Sequence, residues 1–390
     1  MRSVAGWIVF LLTFLSIYGG MHVYIFFRAR AAFRFGLPLG LALALVMAVM
    51  ISTLIVGRMM ERTGLVPLAN LVQRAGHIWL GLVFLFFVWA VLVDVFSLLV
   101  RVQGLWLAGA PFGPFSAQAR FYLPLAIALL MNVYGYFEAL NIRVEHQTVT
   151  TAKLPPSRDR LRLVQISDVH LGASVGEGRL RRIVDLVKQA RPDLLVSTGD
   201  LVDSSNGWSR GEAEMWLELK PPLGKYAVTG NHEVYAGLER ALEDTVQAGF
   251  RLLRGEAVTV GDAVTLAGVD DPAVQGYSEK ASDGEAELLA GLSRERYVVL
   301  LKHRPVIDPA SVGRFDLQLS GHAHKGQIWP FTYVTRWYYI KDAGWLDLGK
   351  NSRLYVSRGV GFWGPPIRVL APPEITVFDL VRGPEAKEQG

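Results

Sequence analysis

Cysteine is absent from all 390 residues. That excludes structural disulfides, thiolate zinc sites and cysteine nucleophiles. It leaves the redox compartment open. Charge is also scarce: 19% of residues are charged, against 51% hydrophobic. So much apolar surface excludes a disordered or fibrous chain. The formal charge is +5, too small an excess to argue nucleic-acid binding, though it suits anionic lipid surfaces or phosphorylated substrates. No internal repeat or low-complexity tract is visible.

What is present is unevenly distributed. The mean hydropathy is +0.28, and the apolar excess lies in the first 140 residues. Four runs stand out there: about Val4 to Phe27, Leu37 to Val56, Ile78 to Val100 and Phe121 to Leu140. Each approaches the ~20 residues a helix needs to cross a bilayer. In lipid only helices satisfy the backbone of such runs. The first is too long for a signal peptide and is followed by three more. Residues 1–145 are therefore expected to be a four-helix transmembrane region. Asp94 and Glu138 lie near the ends of these runs, as interfacial acids do.

With four spans, the N-terminus and the C-terminal domain share one side. That side carries Arg2, Arg58, Arg62, Arg74, Arg143, Lys153, Arg158 and Arg160. The other carries Arg28, Arg30, Arg34, Arg101 and Arg120. The larger count predicts a cytoplasmic C-terminal domain, although the arginine-dense first loop argues the other way.

Composition shifts after Asn141. Residues 146–160 read as a linker, with Pro155 and Pro156 stopping helix and strand alike. From Leu161 short apolar strands alternate with helical patterns. Strands are expected at 161–167, 194–198, 225–229, 297–301, 317–320, 353–357 and 374–380. A hairpin is expected across Gly261 and Asp262, and helices over 179–190 and 241–248. Strands before helices favour an α/β domain, and later strands without helices suggest a mixed second sheet. That domain is expected to occupy 161–382.

The chemistry-bearing residues follow these strands. Asp168 and His170 follow the first, Asp200 and Asp203 the second, and Asn231, His232 and Glu233 the third. His303 follows the strand ending at Leu301, and His322 and His324 follow the one ending at Ser320. All five histidines beyond the linker are in these blocks. Open α/β sheets gather ligands at the carboxyl ends of strands. Carboxylates and imidazoles converging from five loops are the donors of a dinuclear metal site. Manganese, iron or zinc suits oxygen and nitrogen donors; calcium would want fewer imidazoles.

The blocks DVH, GDLVD, GNHE, a lone later histidine and GHAH occur in order, and with them the segment from about Leu161 to Leu380 resembles the calcineurin-like metallophosphoesterases. The resemblance implies an α/β sandwich of two mixed sheets flanked by helices. It implies two divalent cations, manganese favoured. Asp168, His170 and His324 would hold the first; Asn231, His303 and His322 the second; Asp200 would bridge. His232 would be the catalytic histidine, with Asp203 as its partner. Asp203 and Glu233 would orient histidines, unless Glu233 is simply a solvated loop acid. The implied reaction is hydrolysis of a phosphoester or pyrophosphate bond. Two cations ~3.5–4 Å apart can acidify a water, polarise the phosphoryl group and clamp in-line displacement.

The aromatic segments at Trp329–Tyr333, Trp337–Ile340 and Tyr355–Trp363 look like the membrane-associated branch of that family. That branch includes UDP-2,3-diacylglucosamine hydrolases, which implies a bacterial inner-membrane enzyme acting on a lipid-linked or nucleotide substrate. The aromatics suit either a headgroup-level interface or the second sheet's core. Arg358 and Arg368 suit substrate phosphates or internal salt bridges. Lys325 departs from the glycine often found after the last histidine. Competing readings are a tethered phosphodiesterase or phosphatase without lipid preference, a non-catalytic metal-binding sensor, and a transporter with a regulatory domain. The last lacks broken paired spans and central charges. The oligomeric state is not encoded in any pattern found.

Overall fold

The computed structural model describes residues 4–106, 115–275 and 284–384. The chain divides into two units: Met1–Phe137 with Gly364–Ile367, and Glu138–Trp363 with Arg368–Gly390.

The first unit is helical. Helix α1 (Val4–Phe14) passes through a π-helical turn at Leu15–Gly19 into α2 (Gly20–Phe33). Then come α3 (Leu37–Arg62), α4 (Val66–Trp106) and α5 (Ala117–Leu140). Arg34 ends α2 in a left-handed conformation, its N–H on the Arg30 carbonyl. Pro38 lies in the first turn of α3, where its missing N–H is not needed. Among the described residues, four segments are long and apolar enough to cross a membrane: Leu11–Phe33, Leu37–Arg62, Val66–Gln103 and Ala117–Leu140. Each overlaps an expected run; the first is shifted toward the C-terminus, and the other three are longer than expected because polar residues extend the helices past the apolar stretch. Glu61 and Gln73, for example, are buried and hydrogen-bond each other.

Asp94 was expected near a helix end but lies well inside α4. Arg28 pairs with it at 2.6 Å, Arg120 pairs with it as well, and the Tyr24 hydroxyl donates to it. Such pairing lets an acid reside within an apolar helix. Glu138 sits in the last turn of α5, 3.7 Å from Arg143.

The second unit contains β1 (Arg143–Thr151), β2 (Arg160–Ile166), α6 (Glu177–Ala190), β3 (Leu194–Ser197), α7 (Arg210–Leu217) and β4 (Lys225–Ala227). It continues through α8 (Asn231–Ala236), α9 (Leu238–Gln247), β5 (Arg251–Leu252), β6 (Glu256–Val260), β7 (Val264–Gly268) and α10 (Glu285–Ala290). It ends with β8 (Tyr297–Leu301), β9 (Leu317–Ser320), α11 (Thr332–Tyr338), β10 (Gly344–Gly349), β11 (Ser352–Val356) and β12 (Glu374–Arg382). One six-stranded sheet has the order β1-β12-β2-β3-β4-β5, the other β10-β11-β9-β8-β7-β6. Both are mixed: β12 runs antiparallel to β2, and β6 to β7. This is the expected α/β sandwich.

The pleat of β2 shows how the layers form. Leu161 and Leu163 point into the space between the sheets, with Val299, Leu301, Leu317 and Leu319 from the other sheet. Val164 and Ile166 point the opposite way, against Ile183, Val184 and Val187 of α6. Alternation places one strand's side chains in two cores.

The expected linker needs correction. Residues 143–151 form a nine-residue strand, β1, paired in parallel with β12. Its sequence, RVEHQTVTT, is too polar to read as a buried strand, and its partner lies far along the chain. An edge strand pairs on one side only, so it needs little apolar character. Arg143, Lys153, Arg158 and Arg160 therefore belong to the folded unit, and Lys153 pairs with Asp316. Folded domains translocate largely regardless of their charge. The basic excess behind the cytoplasmic expectation thus loses most of its weight. Arg2, also in that count, lies outside the described residues.

Lys225 of β4 is buried, and its Nζ donates to the Trp216 carbonyl at 2.7 Å and the Ala248 carbonyl at 2.5 Å. Burial pushes its pKa down to about 8. Lys225→Met would remove a donor from both carbonyls and leave only the Trp216 carbonyl with a backbone N–H on it, from Leu219. The expected loss is about 1–3 kcal/mol, read as a lower thermal midpoint of the detergent-solubilised chain.

Candidate metal centre

Every expected site residue leaves the end of a strand. Asp168 and His170 follow β2, Asp200 and Asp203 follow β3, and Asn231 and His232 open α8 after β4. From the other sheet, His303 follows β8, and His322 and His324 follow β9. Sharp turns aim these side chains. Asp168, His170, Asp200, His322 and His324 all have φ between 47° and 67°, a region that non-glycine residues rarely occupy. Such strain clusters where a site over-determines the backbone. Glycines let the loops close up. A Cβ on Gly199, itself at φ 97°, would lie 2.7 Å from the Gly230 nitrogen, and one on Gly230 2.2 Å from Asp200 Oδ1.

Three overlapping donor groups result, each with ligand atoms within 4.8 Å of one another: Asp168, His170 and His324; His170, Asp200 and His232; and Asp200, His303 and His322. Asp200 belongs to two of them. All these residues are buried except His322, which is half-buried. Asn231 is buried beside them, and its Oδ1 has no hydrogen-bond partner.

The donors fit divalent cations. His170 Nε2 lies 3.1 Å from His324 Nε2, and His303 Nε2 lies 3.0 Å from His322 Nδ1. Nitrogens ~2.1 Å from one cation, at right angles to it, lie about 3.0 Å apart. The unpartnered Asn231 oxygen is a hard neutral donor with no other use. The Nδ1 of His303 faces the Thr198 carbonyl at 2.8 Å, which leaves Nε2 as the ligand atom.

Electrostatics agree. Burial opposes charge on His303, yet Asp200 raises its pKa to about 10. Burial, together with His232, takes His170 down to about 3. Burial opposes ionisation of Asp168, but His324 and other imidazoles hold its pKa well below the carboxylate range. The carboxylates thus call for positive charge, which a proton on His303 supplies here and a bound cation would replace, while His170 is already neutral and free of a proton on one nitrogen.

His232 belongs to the second donor group, but one of its ring nitrogens is already taken up by a carboxylate outside the three groups. Its backbone N–H donates to Asp200 Oδ1 at 2.8 Å, and its Nδ1 lies 2.9 Å from Asp203 Oδ1. The structure thus brings His232 and Asp203 together. Glu233 is not a solvated loop acid, and its carboxylate hydrogen-bonds backbone rather than imidazoles. It is buried and accepts the backbone N–H groups of Asp200, Leu201 and Gly230. Burial pushes its pKa to about 7. Its work is to hold the Asp200 loop against α8.

Of the two expectations for the arginines, substrate phosphate or internal pairing, the structure shows the internal one for Arg358 and main-chain partners for Arg368. Arg358 pairs with Glu145 and, at 2.6 Å, with Glu374. Arg368 is fully buried. It donates to the carbonyls of Arg358 and Gly361, and its Nη2 lies 3.0 Å from His324 Nδ1. Both guanidinium groups are engaged within the protein. The structural part of Arg368, as the post behind His324, was invisible in the sequence, because its partners are main-chain carbonyls that carry no residue code.

The family model described as calcineurin-like phosphoesterase matches residues 161–326. An uncharacterized metallophosphoesterase of Aquifex aeolicus is 39% identical over 255 residues, covering 65% of this chain and 97% of its own length. A transmembrane protein with a metallophosphoesterase domain from Danio rerio is 34% identical over 267 residues, covering 65% of this chain and 61% of its own. An uncharacterized metallophosphoesterase of Campylobacter jejuni is 30% identical over 256 residues, covering 65% of this chain and 68% of its own. A relative matched over nearly its whole length, on the segment that carries these strand-end donors, places the chain in the calcineurin-like metallophosphoesterase family.

Proposed function

We propose that this metal-dependent phosphoester hydrolase is anchored in a bilayer by its four apolar helices and cleaves a phosphoester or pyrophosphate bond of a lipid-linked or nucleotide substrate, of which UDP-2,3-diacylglucosamine is the type. The observation that carries the hydrolytic reading is Asp200, shared by two buried donor groups at the meeting of both sheets. Asp168, His170 and His324 would hold one cation and Asn231, His303 and His322 the other, with Asp200 shared as a ligand. Manganese is the favoured metal, with iron and zinc as the other ions that suit these donors. Bound there, two divalent ions supply Lewis acidity and a nucleophilic water for in-line displacement.

The chain's own residues do the rest. Asp200 sets the separation of the two ligand groups. Asp203, on His232 Nδ1, fixes the ring so that Nε2 faces the leaving oxygen and donates its proton. Glu233 keeps the Asp200 turn in place through backbone N–H groups. A bilayer anchor brings a lipid-linked ester to the same surface as the site. A nucleotide-sugar substrate further requires the site to face the cytoplasm, where such nucleotides are made. The second reading is a tethered phosphodiesterase with no acyl preference.

Five outcomes test this. Asp200→Ala is expected to lose both metals by elemental analysis, together with all activity. Restoring manganese, iron or zinc to chelated wild-type protein should restore turnover, and the order of rescue identifies the metal. His232→Asn should keep its metals while kcat falls about 10²–10⁴-fold, the usual worth of a positioned acid. Asp203→Asn should fall less, also with metals retained. Finally, detergent-purified protein with manganese should release UMP from UDP-2,3-diacylglucosamine. Cleavage of a simple phosphodiester without that release would favour the second reading.

A further inference from the structure

We infer that the outer face of α11 and its flanks seats in the interfacial layer of a lipid bilayer, carrying the mouth of the metal centre to headgroup level. The helix is built the reverse of a water-facing one. Its threonines point inward: Thr332 and Thr335 are buried, their hydroxyls donating to the carbonyls of Lys325 and Thr332. Its large apolar side chains point outward: Phe331, Tyr333, Val334, Trp337, Tyr338 and Ile340 are all exposed, Trp337 by 87%.

The composition selects lipid as the occupant. From Lys325 to Lys341 there is no Asp or Glu, while Lys325, Arg336 and Lys341 are cationic. Asp342, the first acid after them, pairs with Arg336 at 3.2 Å. A cationic rim around tryptophan and tyrosine suits anionic headgroups and the amphipathic depth where those rings reside. A second copy of this face would set cations against cations. The same chain carries four segments able to cross a bilayer, so a lipid surface belongs to its surroundings. The patch also leads to the site. The ring of Tyr339, just after α11, meets that of His322 edge-on with centroids 5.7 Å apart.

The inference rests on the reading of those four segments as spans, and one experiment separates the two. The chain has no cysteine, so single labels are clean. Trp337→Cys, Tyr333→Cys, Val246→Cys on α9 and Leu45→Cys on α3 are each labelled with a polarity-sensitive fluorophore. The full chain is reconstituted into phosphatidylcholine–phosphatidylglycerol vesicles. The labels at 337 and 333 should lose emission to a shallow spin-labelled lipid and be shielded from iodide relative to 246. The label at 45 should lose emission to a deep spin-labelled lipid. If 45 is not quenched by lipid, the membrane reading fails and takes the docking face with it. If 45 is quenched but 337 and 333 are as open to iodide as 246, the docking face alone is overturned. If 337 and 333 are shielded from lipid and iodide alike, protein covers the face, and the inference is overturned in favour of self-association.

Discussion

Asp200 is the residue on which the second unit's geometry depends. Its carbonyl accepts the His170 N–H, its Oδ1 accepts the His232 N–H, and its Oδ2 lies 3.1 Å from His303 Nε2. Its own N–H is held by Glu233. One residue thus joins the ends of β2, β3, β4 and β8. Burying a carboxylate is unfavourable unless positive charge answers it. The imidazoles answer it in part, and a cation answers it fully. Metal binding would therefore bear on the same loops, since the groups that would ligate are also those that fix one another's backbones.

Much of this was legible in the sequence, and the reason is chemical. Ligands must be particular residue types, and strand ends are marked by apolar runs that stop, so Asp168, Asp200 and the histidines could be placed without coordinates. What could not be read depended on main-chain partners or on distance along the chain. Arg368 acts through carbonyls, and Glu233 through amides. Strand β1 exists only because β12 lies beside it. The short helices escaped notice because so few residues carry no period. Helix α7 did leave a signal, the Ser209 and Glu212 capping box. The aromatics divided: Tyr355 is core, whereas Trp337 is exposed. Composition alone fits both positions.

The helical unit follows the same rule about charge. Asp94 is tolerated within α4 because Arg28, Arg120 and Tyr24 meet it. Two of the basic residues counted for orientation thus do internal work, and their charge is partly spoken for. Counting residues by type treats every arginine as free, whereas the folded chain commits some of them to a single partner.

The pairing of β1 with β12 has a mechanical consequence. Strand β1 begins three residues after α5 ends at Leu140, and it runs parallel to β12 in register from Arg143 with Glu374 to Thr151 with Arg382. Tension applied along the chain at Leu140 loads this pair lengthwise. Its inter-strand hydrogen bonds must then yield together rather than open one at a time from an end. The seam where the chain enters its second fold is thus built to resist shear, and a pull at that point is spread along the whole length of the sheet's edge.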